Sequence, residues 1–297
     1  MSELKPLIVD LHIPYCIQPE RYLRLYGAVG TNAEKNAYMA ALKREVLSNE
    51  GELDGYEVKA VRLSGGSATV MSPDLLGDLL STVRKVMPVA HGAEVSFDAH
   101  PLTIGTPALT GIANGQPNRA ELMMRSSLDS ELQALGCAFT MQHVQNAMLF
   151  FHRFRMNNVS LTVNYGIPGQ TLDTWHNTLR ACLIMSTGHI RVCPLDVTEA
   201  PGMPSAQERE EMRAHAHEVL TAEGYHAYTD TDYALPGHES VGLQLRQSGC
   251  EYLGLGVDGR SRQGGYLFRN TNNLRLYMQH AGNPEKTIVQ VLAEAEA

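Results

Sequence analysis

The sequence predicts an α/β fold: a partial, TIM-like (β/α)6 barrel followed by a small C-terminal α+β extension. Three observations predict it. Short apolar runs alternate with amphipathic stretches as far as Leu195, the signature of a parallel sheet with crossover helices. Six such runs are too few for a closed eight-fold barrel. Beyond Leu195 the alternation stops at a linker-like stretch, Glu199-Ala-Pro-Gly-Met-Pro204.

Taken in order, the expected strands are Leu7–Ile13, Val61–Ser64, Glu94–Asp98, Glu121–Met124, Val159–Tyr165 and His189–Leu195. Helical periodicity covers Asn32–Leu47, Pro73–Val86, Asp129–Leu135, Met141–Phe154 and Leu172–Met185. Ser72-Pro73 offers an N-cap followed by proline in the first turn. Pro168-Gly169 ends a strand in a turn. In the extension, Gln207–Glu223 is a charged amphipathic helix, with short strands near Tyr225–Thr229 and Glu251–Leu255 and a hairpin at Gln263-Gly-Gly265. The expected division is residues 1–198 for the barrel and 199–297 for an extension packed on it.

The bulk numbers limit function. With 43% hydrophobic and 19% charged residues, the 297-residue chain has the composition of a soluble globular protein. A net charge of -8 without a basic stripe argues against a nucleic-acid partner. The N-terminus carries no secretory pattern, and no run of about 18 apolar residues spans a membrane. A cytoplasmic location with no membrane partner is expected. The five cysteines, Cys16, Cys137, Cys182, Cys193 and Cys250, are widely spaced and form no C-x-x-C, which argues against a disulfide framework or zinc knuckle.

The ends of the strands carry the chemistry. His12-Ile-Pro-Tyr-Cys16 ends the first and Ser64-Gly-Gly-Ser-Ala-Thr69 the second. Asp98-Ala-His-Pro101 ends the third, and Asn164-Tyr-Gly-Ile-Pro-Gly-Gln-Thr171 the fifth. Pro236-Gly-His-Glu-Ser240 and Tyr252-Leu-Gly-Leu-Gly256 follow. In this order and spacing, the chain resembles the oxygen-independent coproporphyrinogen III oxidase-like family of the radical SAM superfamily, from about Leu7 to about Arg275. That family includes haem chaperones and a class of methyltransferases. The resemblance implies a barrel of the radical SAM type. It also implies that S-adenosylmethionine (SAM) meets the protein at Ser64, Gly65, Gly66 and Ser67, where glycine admits close backbone approach. Asp98 matches an acidic strand-end residue of the family; ordinary turn capping is the competing reading.

Departures from the family pattern are equally informative. Two further cysteines, four and seven residues after the first, would hold a [4Fe–4S] cluster; here those positions are Glu20 and Leu23. One thiolate and one carboxylate are far from that ligand set, so no iron–sulfur cluster is expected. Arg125 and Thr162 replace a glutamine and an aspartate, and His152, with Arg153 beside it, replaces an arginine. The haem chaperones' His-Asn-x-x-Tyr-Trp stretch reads Val241-Gly-Leu-Gln-Leu-Arg-Gln247. The terminal extensions of the family are also missing, so no haem is expected.

These readings lead to a SAM-binding enzyme of polar, non-radical chemistry, a lyase or cyclase releasing methylthioadenosine or an alkyl (methyl) transferase, with a small-molecule substrate. A radical enzyme with an atypical cluster and a non-catalytic binder are the alternatives. The cofactor-binding candidates are Ser64, Gly65, Gly66, Ser67, Asp98, Arg125, Arg153 and Thr162. Arg21, Arg125 and Arg153 are candidate carboxylate clamps, since guanidinium forks match carboxylates. The catalytic candidates are Asp10, His12, Tyr15, Glu20, Tyr22 and His100: two imidazoles at strand ends, and carboxylates and phenols around the expected cluster position. Each competes with a structural or solvated role. A metal set of His12, Cys16, Glu20 and His100 matches no recognised spacing. His215 and His217 are expected to face different directions on a solvated helix.

Overall fold

The computed structural model describes residues 4–22, 27–197 and 200–293. Six parallel strands, β1 (Lys5–Ile13), β2 (Tyr56–Gly65), β3 (Val89–Ala99), β4 (Arg119–Arg125), β5 (Val159–Tyr165) and β6 (His189–Pro194), stand side by side in chain order. Between them run α1 (Asn32–Leu47), α2 (Pro73–Val86), α3 (Thr106–Ala113), α4 (Asp129–Ala134), α5 (Met141–Arg153) and α6 (Leu172–Ile184). The sheet is not closed, and the fold is the expected α/β partial barrel of the radical SAM type. The helix α3 falls outside the expected set, because Thr106-Pro-Ala-Leu-Thr-Gly is short and carries a helix-weakening glycine.

After β6 come α7 (Ala206–Ala222), β7 (His226–Ala227), β8 (Asp232–Ala234), α8 (Val241–Gln247), β9 (Glu251–Leu255), β10 (Arg260–Gln263), β11 (Tyr266–Asn270), α9 (Leu274–His280), α10 (Pro284–Thr287) and β12 (Ile288–Ala293). Their strands extend both edges of the same sheet, in the order β12-β11-β10-β9-β1-β2-β3-β4-β5-β6-β8-β7. β9 runs parallel to β1, whereas β8 is antiparallel to β6. The hairpin at Gly264-Gly265 joins β10 to β11 with both glycines at positive φ, 59° and 80°, a backbone that other residues resist. Among the described residues no helix is long and apolar enough to cross a membrane.

Strand alternation sorts the side chains. Leu7, Val9, Leu11 and Ile13 of β1, Leu63 of β2, Phe97 of β3, Leu122 of β4 and Leu161 of β5 face the helices in one buried cluster. Among the intervening residues, Asp10, Arg62, Asp98, Glu121 and Arg191 are polar and line the hollows of the other face. Caps set the helix starts: Thr31 and Glu34 form a reciprocal box at α1, as Ser205 and Glu208 do at α7. Ser72 precedes α2 without a side-chain cap bond, so Pro73 alone marks that start.

Candidate functional site

A cavity of about 360 Å³ opens where the strands end, lined by Arg62, Ser64, Gly65, Gly66, Asp98, Glu121, Met123, Arg125, Thr162, Arg191 and Cys193. The position follows from the fold, since open parallel sheets and barrels place ligands at the carboxyl ends of their strands. Six of the expected cofactor-binding residues meet here: Ser64, Gly65, Gly66, Asp98, Arg125 and Thr162.

The charges are arranged in pairs. Arg62 Nη2 donates to Asp98 Oδ1 at 3.1 Å, and Arg191 bridges Glu121 (3.3 Å) and Asp232 (2.7 Å). Arg119, fully buried, donates to Glu121 at 3.4 Å. Burial alone would raise the Glu121 carboxyl, but Arg191, Arg62 and Arg119 outweigh it and hold it down to about 2. The buried Nε of Arg62 has no hydrogen-bond partner among the described residues.

Arg125 is the distinctive element. A register shift between Met123 and Arg125 ends β4, and Arg125 sits at φ 65°, a left-handed backbone that a non-glycine residue adopts at a cost. Its Nε donates to Glu20 Oε2 at 3.0 Å, both side chains being buried, and its Nη1 lies 3.4 Å from Asn164 Oδ1. The arginine thus reaches across the end of the sheet to the loop that follows β1.

The catalytic candidates do not converge. Glu20 is committed to Arg125 rather than available as a base. Asp10 faces a small hollow beneath the cavity and pairs with Arg246 of α8. Glu94 accepts from Ser240 Oγ and from the amides of Val241 and Gly242 at 2.7–3.2 Å, fastening the start of the same helix. Tyr15 is buried edge-on against Tyr38 at 5.7 Å between ring centroids. Tyr22 packs with Leu135, Ile167 and Leu195. The Nδ1 of His12 is bonded to the Val257 carbonyl. His100 accepts from the Leu102 amide and meets Phe139 edge to face; burial, with Arg125 adding, lowers its pKa to about 4.

Two cofactor-binding candidates also fall elsewhere. Arg153 is exposed on α5 with its guanidinium 6.0 Å from the Phe150 ring centre. Ser67 is buried, its amide donating to the Tyr15 carbonyl and its hydroxyl facing Thr69. Of the other arginines weighed as clamps, Arg21 is exposed and lies against Gly136. Gly65, which ends β2, and Gly66 after it have a packing reason beside their place at the cavity. A Cβ on Gly65 would meet the His12 ring at 2.1 Å, and one on Gly66 the Tyr15 carbonyl oxygen at 2.2 Å.

Arg62, Glu121, Met123, Arg191 and Cys193 are lining residues that the strand-end motifs did not reveal. For Arg62, Glu121 and Arg191 the signal was a charge set between apolar strand residues, as in Ala120-Glu-Leu and Ile190-Arg-Val; Met123 and Cys193 carried none.

A cluster can be tested against the residues present. Cys16 is a buried thiol, pushed up by burial and by Glu20. Burial, with Glu20 adding, takes the thiol of Cys137 up to about 12. Leu23 lies outside the described residues. This donor set does not fit three thiolates. Nor are His12, Cys16, Glu20 and His100 brought together: among the described residues no group of three or more metal-binding side chains is assembled.

Sequence comparison places the chain beside haem chaperones. It is 25% identical over 265 residues to the haem chaperone HemW of Escherichia coli, covering 86% of this chain and 70% of the relative. To the Synechocystis HemW it is 27% identical over 299 residues, 93% of this chain and 71% of the relative. An oxygen-independent coproporphyrinogen III oxidase of Cereibacter sphaeroides is 24% identical over 250 residues, 78% of this chain and 54% of the relative. The solved coproporphyrinogen III oxidase HemN of Escherichia coli, a radical SAM enzyme, superposes with a TM-score of 0.87 at 17% identity, covering 98% of this chain and 73% of that one. No family model matches the chain.

These comparisons overturn four expectations. The SAM lyase or transferase lacking a cluster gives way, and with it the assignment as an enzyme, because the relatives along 86–93% of the chain are named chaperones. The expected absence of haem is withdrawn on the same finding, because similarity to proteins named haem chaperones runs over 86–93% of the chain. The expected absence of an iron–sulfur cluster is withdrawn too, since the relatives and the shared fold are those of the group to which the resemblance attaches one. By the order of its motifs, by similarity along most of its length and by its fold, this chain is a homologue of the oxygen-independent coproporphyrinogen III oxidase-like radical SAM group, haem chaperones included.

Proposed function

We propose that the chain is a haem-chaperone-like binding protein of the cytoplasm, whose strand-end cavity recognises a carboxylate of its ligand. Similarity to haem chaperones over 86–93% of the chain carries this reading. Three guanidiniums, Arg62, Arg125 and Arg191, line the cavity, groups suited to carboxylates; each is already paired, so a ligand carboxylate would compete there with Asp98, Glu20 or Glu121. Haem presents two propionates. About 360 Å³ is at the small end of ligand sites, so haem would lie across the mouth with a propionate inside. We take residues 1–198 as the barrel that bears the site and 199–297 as its extension.

A second reading is favoured by the lining itself: Ser64, Gly65, Gly66, Asp98, Arg125 and Thr162 would hold SAM, its carboxylate on an arginine and its ammonium or ribose on Asp98. The test is titration of the full chain with haem, followed by Soret absorbance, and with SAM, followed by calorimetry. Saturable haem binding supports the first reading. It should weaken about tenfold or more, about 1.4 kcal/mol, in the double variant Glu20→Gln/Arg125→Gln, which removes both partners and strands no charge. Binding of SAM without haem transfers the assignment to the second reading. Binding of neither removes both.

A further inference from the structure

Helices α6 and α7 pack together on the outside of the barrel, and their register is locked by a buried bond. The chain's single tryptophan, Trp175, is fully buried and donates from Nε1 to the Met212 carbonyl at 2.8 Å. One residue beyond Trp175 and three beyond Met212, His176 and His215 meet across the helix interface. Nδ1 of His176 and Nε2 of His215 are 2.9 Å apart, with ring centroids at 5.1 Å. His215 is therefore paired rather than merely solvated, whereas His217 lies 3.4 Å from the Tyr233 hydroxyl. The imidazole pair opens on a surface depression of about 520 Å³, with Arg180, Ile184, Glu218 and Glu223 also on its walls.

We propose that His176 and His215 form a two-imidazole site for a late first-row divalent cation, Cu²⁺ or Ni²⁺, completed by water. Two neutral rings at this separation share one proton in an N–H···N bond; a metal takes the place of that proton. Nitrogens 2.9 Å apart, each about 2.0–2.1 Å from a metal, subtend about 90° at it. That is the angle between adjacent positions of a tetragonal site, the preference of Cu²⁺ and Ni²⁺. Tetrahedral zinc would need its nitrogens about 3.3 Å apart. In the hydrogen bond the two nitrogens aim along the line that joins them, so each ring turns by about 45° to aim at a metal bound at 90°. The Trp175–Met212 lock means that the helices need no ordering on binding, the usual cost of bringing ligands together. Among the described residues no third histidine, cysteine or carboxylate is in place to ligate, and the depression leaves room for water. Of the charges on the walls, Glu218 and Glu223 favour a cation and Arg180 opposes one.

The test titrates Cu²⁺ into the untagged full chain near neutral pH, with electron paramagnetic resonance as the readout. The expected result is a first equivalent whose spectrum shows coupling to two imidazole nitrogens. In His176→Gln and His215→Gln, that equivalent should bind at least about tenfold more weakly and lose one nitrogen coupling. A second arm needs no variant: copper should shield His176 and His215 from an imidazole-acylating reagent, read by peptide mass spectrometry. If the variants bind the first equivalent as tightly as the parent chain, or if neither histidine is shielded, the proposal is overturned.

Discussion

Glu20 and Arg125 show how far a residue's chemistry depends on its partner. Alone, Glu20 reads as a base and Arg125 as a carboxylate clamp; joined at 3.0 Å and buried, each neutralises the other. Arg125 also holds a left-handed backbone at φ 65°, a cost that the surrounding contacts must offset. Replacing Arg125 with alanine strands a buried carboxylate and should destabilise the fold by about 3–5 kcal/mol. Glu20→Gln/Arg125→Gln should recover much of that loss. Urea unfolding of the three proteins checks the order; equal losses in the single and double variants would show that the pair is not coupled.

The glycine-rich end of β2 and the start of α1 make separate predictions at the level of elements. Gly66 is required by the loop that follows β1, because the obstacle to a Cβ is the backbone of Tyr15, which cannot swing aside as a side chain does. Gly66→Ala should therefore destabilise by about 1–3 kcal/mol or more through overpacking, whether or not ligand is present. A melting curve without ligand that matches the parent protein would contradict this. At α1, Thr31 accepts from the Glu34 amide at 3.2 Å while Glu34 accepts from the Thr31 amide at 2.7 Å. Thr31→Ala should cost about 1 kcal/mol, measured as a lower urea midpoint with an unchanged slope.

For the molecule as a whole, the buried imidazoles set a direction for pH. Burial, with Arg125 adding, lowers His100 to about 4, and burial, with Arg119 adding, lowers His189 to about 3. His189 is hydrogen-bonded to Ser160 and Tyr228, each at 2.6 Å. The unfolded chain takes up these protons near pH 6.5, so below that pH it binds more protons than the folded one. Stability is then fully present above about pH 6.5 and is lost as the pH falls toward 4. For His100 the loss is on the order of 3 kcal/mol by pH 4. Unfolding free energies measured from pH 8 to 4 should decline below 6.5, and His100→Gln should flatten part of the decline. A profile that is level across this range would show that these rings are not buried in the neutral form.

Much of this was legible in the chain itself. Val159–Tyr165 and Glu251–Leu255 read as strands, and Asn32–Leu47 and Pro73–Val86 as helices, with the bounds that the structure has, because periodicity and caps act over a few residues. The six cofactor-binding candidates that line the cavity were legible through the family resemblance, and adjacent parallel strands bring them together. Their partners were not. Arg125 meets Glu20 across 105 positions, and Glu94 meets Ser240 across 146, distances over which no local pattern carries information. The segments after Leu195 read as an extension packed on the barrel; their strands lie at both edges of the one sheet. The sequence by itself determined the strands, the helices and the face on which a ligand belongs, since these follow from local alternation and chain order. Which charges neutralise one another, and hence which groups remain free for a ligand, was decided by tertiary structure, because a buried charge is stable only against a partner that the fold supplies.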